Sequence, residues 1–138
     1  MRFMILVKAN KDSEAGTQPD ERIFGAMADY HEELQKAGVL LDANGLQPSS
    51  KGWRVHYSGG KPTVVEGPLT GSKELVAGYT IIQTKTREEA VEWTRRFPNP
   101  FNEDCHIEVR QMFELEDFDL PGEQVQRFRD IGVAQPQE

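Results

Sequence analysis

Apolar positions along this chain change period several times, and the changes outline the elements. Residues 2–8 (Arg-Phe-Met-Ile-Leu-Val-Lys) alternate only weakly but are apolar between their charged ends and β-capable, which predicts a first strand rather than a signal peptide. Residues 9–18 are polar and read as a loop. Beyond Pro19, the apolar residues Ile23, Met27, Tyr30 and Leu34 fall at helical spacing, with Asp20 and Glu21 at the positive end. Phe24 and Ala37 widen that stripe and Gly38 stops it, so a helix is expected over 19–37. Val39-Leu40-Leu41 starts a second strand. Trp53, Val55 and Tyr57 then alternate with Arg54 and His56, Ser58-Gly59-Gly60-Lys61 turns, and Thr63-Val64-Val65 returns as a hairpin. A strand over 77–84 precedes Thr86-Arg87-Glu88-Glu89, a capping-box pattern, and a second helix with Ala90, Trp93 and Phe97 inward. Residues 105–113 alternate strictly, predicting the final strand. Residues 125–129 suggest a short docking helix, and the last five or six residues are expected to be disordered.

The order is β-α-β, a hairpin insertion, then β-α-β. That is an α+β, ferredoxin-like arrangement: an antiparallel sheet with two helices on one face. The other face must then be polar or covered. In the final strand Cys105, Ile107 and Val109 are expected to face the helices. His106, Glu108, Arg110 and Met112 point the other way, joined by Met4 and Leu6 of the first strand. A face mixing charges with methionines suits neither a dry core nor plain solvent. Pairing the sheets of two subunits covers it and encloses a cavity, so a homodimer is expected.

Composition narrows the classes. The 138 residues suffice for one domain with a real core, and 28% charged residues suit a soluble globular chain. A net charge of −7 repels phosphate backbones, and the only basic cluster, Arg95-Arg96, is a pair, so no nucleic-acid partner is expected. No apolar run reaches the roughly 20 residues of a membrane span. The single cysteine, Cys105, gives no disulfide framework and suits a cytoplasmic location. Three scattered histidines offer no metal-ligand spacing, and Ser58-Gly59-Gly60-Lys61 lacks the helix of a phosphate loop. Neither a metal nor a cofactor is expected.

His106, Glu108 and Arg110 form the sharpest cluster, at i, i+2 and i+4 on one strand. They read either as an inter-subunit salt-bridge network or as a proton-transfer and anion-binding site. His31, at the edge of the first helix's stripe, reads as a partly exposed helix histidine or as a general acid/base. His56 is expected in solvent, opposite the Trp53 face. Lys73 binds a substrate carboxylate or latches its loop, and Glu66 is a base or a turn-stabilising acceptor.

The pieces Gly38-Val39-Leu40, Gly45-Leu46-Gln47-Pro48, Glu66-Gly67-Pro68-Leu69, Lys73-Glu74, Gly78-Tyr79 and Glu108-Val109-Arg110 stand in an order and spacing that resembles the YCII-related superfamily. The resemblance is to its branch named for an Asp-Gly-Pro-Phe loop and covers most of residues 2–112. Glu66 replaces the usual Asp, Leu69 the Phe, and Gln111 a frequent Pro. The resemblance implies a ferredoxin-like fold assembled as a dimeric α+β barrel, with a domain over 1–115 and an extension over 116–138. It also implies small-molecule acid/base chemistry, one relative being a dehydrochlorinase of a chlorinated hydroxyquinol. The family's His–Asp pair maps its His nearer Met27 than His31, with Asp42 as the acid. The expected function is therefore binding of a small anionic or aromatic metabolite in a sheet/dimer cavity, with possible cofactor-free isomerase- or lyase-like catalysis. Glu108, His106 and His31 are the catalytic candidates, and Arg110, Lys73, Glu66 and Asp42 the binding ones. The alternative is a non-catalytic dimeric interaction module linked to transcription, contacting its partner through the acidic stretch Glu114–Asp119 and beyond.

Overall fold

A computed structural model describes residues 1–70, 72–133 and 136. Four strands, β1 (Arg2–Lys8), β2 (Leu40–Gly45), β5 (Val76–Gln83) and β6 (Ile107–Gln111), form one antiparallel sheet in the order β2-β5-β1-β6. This α+β arrangement is compatible with the ferredoxin-like fold expected. Strands β3 (Trp53–Ser58) and β4 (Lys61–Glu66) form a separate two-stranded sheet inserted between β2 and β5. Among the described residues there are four α-helices: α1 (Lys11–Glu14), α2 (Glu21–Lys36), α3 (Arg87–Arg95) and α4 (Gly122–Ile131).

The core lies between the sheet and two of the helices. Phe3 and Ile5 of β1 and Ile82 of β5 are buried with Tyr30 and Leu34 of α2 and Ala90 of α3, and Val39, Trp93, Phe97 and Ile107 pack around them. The helix boundaries follow their caps. The Asp20 carboxylate accepts from the backbone N–H of Ile23, so Asp20 is the N-cap and α2 begins one residue later, not at Pro19. The Thr86 hydroxyl accepts from the backbone N–H of Glu89 and caps α3. Gly38, at a φ of 74°, supplies the left-handed residue after α2.

Three local expectations are corrected. The polar stretch after β1 holds the single-turn helix α1, because Asn10 and Ser13 cap each other reciprocally. Phe24 is exposed and lies off the buried stripe of α2. The final strand spans only Ile107–Gln111, which leaves Cys105 exposed ahead of it, its thiol donating to the Asn99 side chain at 3.3 Å. Burial and the neighbouring carboxylates of Glu103 and Asp104 push that thiol's pKa up. The segment expected to dock is the longer helix α4, with Phe128 and Ile131 exposed. The expectation of disorder in the last five or six residues falls mostly outside the described residues.

The Gly-Pro loop after β4 is held by close packing. An added Cβ at Gly67 would stand 1.8 Å from the Ser49 carbonyl oxygen and 2.9 Å from that of Gly52, so only glycine fits. The Ser49 backbone N–H and hydroxyl both donate to the Glu14 carboxylate, and the same hydroxyl accepts from the Leu69 N–H at 2.8 Å. Glu14 therefore fills the acceptor role that the sequence suggested for Glu66. At the other end of the sheet, Arg2 forms a two-pronged ion pair with Glu114 at 2.9 and 3.0 Å and donates to the Phe113 carbonyl.

Candidate functional site on the open face of the sheet

Antiparallel partners point to the same side, so the pairing register defines what the helix-free face carries. One row across β2-β5-β1-β6 reads Asp42, Ile81, Met4, Arg110; the next reads Asn44, Tyr79, Leu6, Glu108. Three apolar side chains, Ile81, Met4 and Leu6, thus lie between two polar margins. Neighbouring strands sit about 4.8 Å apart, so Asp42 and Arg110 are roughly 14 Å from each other across one sheet.

The β2/β5 margin is a connected network. The Tyr79 phenol donates to the Asp42 carboxylate at 2.9 Å, and the Asn44 amide donates to the Tyr79 oxygen at 3.0 Å. The Ala43 backbone N–H donates to the other Asp42 oxygen at 2.9 Å. Asp42 is exposed, so its remaining lone pairs face solvent while its orientation is fixed. A held carboxylate with a phenol bonded to it can accept a proton from a bound C–H or O–H acid and can donate one to a developing oxyanion. At the β6 margin Arg110 pairs with Glu108 at 3.3 Å; Arg110 is exposed and Glu108 half-buried, and a solvent-accessible pair of this kind adds little stability.

The other sequence candidates lie elsewhere. His106 precedes β6, so the expected array of three keeps only Glu108 and Arg110 on the strand. His106 instead lines a cleft of about 300 Å³ with Phe97, Pro98, Pro100 and Ile107. His31 is packed between α2 and the helix-facing side of the sheet. Its Nδ1 is 2.7 Å from the Met27 carbonyl, which can only accept, so Nδ1 carries a proton; Nε2 is 2.8 Å from the Thr80 hydroxyl. Thr80 and Tyr79 are neighbours on one strand but point to opposite faces, which separates His31 from the Asp42 network. Lys73 is exposed in a short 3₁₀ turn, and Glu66 is exposed at the end of β4, opposite Trp53. Tyr79 and Asn44 were missed from the sequence, although the alternation of the strand over 77–84 already placed Tyr79 and Ile81 on one face. Among the described residues, no group of three or more His, Cys, Asp or Glu is placed to hold a metal ion. No helix there is long and apolar enough to cross a membrane.

A half-apolar sheet face with one ordered Asp–Tyr–Asn network is thus what this α+β fold leaves without a helix over it. The chain belongs to the YCII-related domain family, whose model matches residues 1–116. It is 25% identical over 104 residues to an uncharacterised protein of Rhizobium meliloti (strain 1021), covering 75% of this chain and 84% of that one. Among solved structures it is similar to a 5-chloro-2-hydroxyhydroquinone dehydrochlorinase from Burkholderia phenoliruptrix AC1100 in complex with 2,5-dihydroxybenzoquinone. That likeness has a TM-score of 0.42 and 14% identity, over 86% of this chain and all of the other.

Proposed function

We propose that this protein binds a small anionic or aromatic metabolite against the open face of its sheet, in a cavity closed by a second copy in the manner of a dimeric α+β barrel. Asp42 is the base, Tyr79 shares its proton, and Arg110 with Glu108 sets the charge at the far margin. The observation carrying this reading is the Tyr79–Asp42 hydrogen bond of 2.9 Å on a face that is otherwise half apolar. An exposed pair fixed by two further donors suits a site whose occupant completes it. Ile81, Met4 and Leu6 offer a flat apolar floor for a ring. The chemistry that fits is cofactor-free proton transfer of the isomerase or lyase kind.

The test is a thermal-shift screen with benzoate, small lactones, catechol and hydroxyquinol at pH 6 and pH 8. A ligand at 100 times its dissociation constant stabilises the fold by about 2.7 kcal/mol, a shift of several degrees for a domain of this size. Asp42→Asn and Tyr79→Phe are expected to abolish the shift while leaving the unliganded midpoint nearly unchanged. Binding that survives both substitutions removes this site from the reading.

A second reading is favoured by one observation. Helix α4 lies beyond the family match and leaves Phe128 and Ile131 exposed, as a contact surface for another protein would. A partner captured by the full chain and lost on deleting residues 119–138, which keeps Glu114 on Arg2, with no ligand hit, would support it over the metabolite site.

A further inference from the structure

We infer that the β3–β4 hairpin is an arm exchanged between two copies of this chain, its apolar face seated on the partner's cleft at the start of β6. The inference rests on the pairing of open faces proposed above and adds the axis of that pairing and a contact that closes its end.

The hairpin is uncovered within its own protomer. Every residue of both strands is exposed, including Trp53 at 61%, Tyr57 at 74% and Val64 at 59%. Register puts these on one side: Trp53 lies opposite Glu66, Val55 opposite Val64, and Tyr57 opposite Pro62. Arg54, His56 and Lys61 occupy the other side. The turn is tight, with Gly59 and Gly60 both at positive φ, so the arm is a defined hairpin and not a loose loop. A two-stranded hairpin alone in water is marginal at best, and an apolar stripe of a few hundred Å² marks a contact surface.

The charges on the open face favour one two-fold axis. An axis parallel to the strands reverses the order β2-β5-β1-β6 and keeps each row level. It sets Asp42 of one protomer over Arg110 of its partner, and Asn44 over the partner's Glu108. An axis across the strands would set Asp42 over Asn44 and leave it without a cation. The strand-parallel axis also keeps the two ends of the sheet distinct. The hairpin leaves where β2 ends at Gly45 and β5 begins at Val76, the same end at which β6 begins at Ile107. The arm of one protomer therefore stands beside the partner's 97–107 segment.

The two surfaces match in chemistry. Residues 51–66 carry three cations, Lys51, Arg54 and Lys61, against one carboxylate, Glu66, which lies at the base of the arm opposite Trp53. The facing segment carries Glu103 and Asp104 next to a cleft of about 300 Å³ whose floor is Phe97, Pro98, Pro100 and Ile107, with Arg95 and His106 at its wall. The apolar stripe takes the cleft and the basic side meets the two carboxylates.

Cys105, exposed and unique in the sequence, is a native reporter in that segment. Tyr57→Cys with Cys105 retained, treated with a short bismaleimide, is expected to give a covalent dimer on a denaturing gel. Tyr57→Cys/Cys105→Ser and the unmodified chain are each expected to give none. Dimer from Tyr57→Cys/Cys105→Ser would mean that arm meets arm and would overturn the inference, as would an exclusively intrachain product. Sedimentation separates the two levels. A dimer without the Tyr57–Cys105 link removes the arm contact alone, whereas a monomer removes the paired faces with it. Trp53→Ser/Tyr57→Ser is expected to weaken dimerisation at least tenfold without loss of the folded circular-dichroism spectrum.

Discussion

The two faces of the four-stranded sheet are built from the same strands by alternate residues, yet they differ in what completes them. On one side Phe3, Ile5, Thr80 and Ile82 are sealed by α2 and α3, and the polar groups there are satisfied within the chain. Tyr30 donates to the Trp93 carbonyl at 2.7 Å, and Thr80 meets His31. On the other side Met4, Leu6, Tyr79 and Ile81 lie beside a polar network confined to the sheet, while Arg2, at the far end of the same face, is buried against Glu114 and Phe113. Between Phe3 and Leu6 a strand's period of two therefore divides labour: Phe3 and Ile5 hold the fold, and Met4 and Leu6 offer a surface. This argues that stability and function are separable here by choosing the face.

Breaking the sealed face should have the largest effect. Leu34 is fully buried against Ile5 and Ile82, and Leu34→Ala should cost about 2–5 kcal/mol by lost transfer energy and a residual cavity. Leu6→Ala, on the open face, should cost less than half as much in dilute protein, where no second copy covers it. Urea titration of both variants checks this; equal losses would mean that the open face is as structural as the closed one. Next in size comes the loop that launches the hairpin. Gly67→Ala drives a methyl into the Ser49 carbonyl, so the Glu14–Ser49–Leu69 tie must shift, at about 1–3 kcal/mol. The same variant should also lower dimer affinity if the arm is aimed by that loop, measurable by sedimentation; an unchanged midpoint would show that the backbone relaxes freely.

Much of this division was legible in the sequence, for a physical reason. β6 alternates strictly and β1 is apolar from Phe3 to Val7, so Met4, Leu6, Glu108 and Arg110 could be assigned to the helix-free face without coordinates. The Asp42–Tyr79–Asn44 network could not be assembled in the same way. The pairing of β2 with β5 shifts between Leu40 and Asp42, and a one-residue shift moves every later side chain to the opposite face. Period-two reading has no means of placing such a shift. His106 failed for the opposite reason, since alternation continued past the strand's true start at Ile107. Glu14 was invisible because its partner Ser49 is 35 residues away and the helix presenting it is a single turn. Phe24 misled because helical spacing widens a stripe on paper more than the sheet can cover.

The smallest effect is at a tyrosine of the sealed face. Burial pushes the Tyr30 phenol up to about 12; the Arg96 cation opposes this and Glu33 adds to it. In the unfolded chain the group titrates near 10, so between those values the unfolded state releases a proton that the folded state keeps. The stabilisation is therefore fully present below pH 10 and is lost as pH rises towards 12. Tyr30→Phe should cost only about 1 kcal/mol at pH 8, the price of one hydrogen bond to Trp93. It should also flatten the fall in urea midpoint between pH 9 and pH 11. If instead Tyr30→Phe left the alkaline fall as steep as in the unmodified chain, the phenol sealed under the helices would not be the group that folding shields, and the contrast between the faces would have to be redrawn.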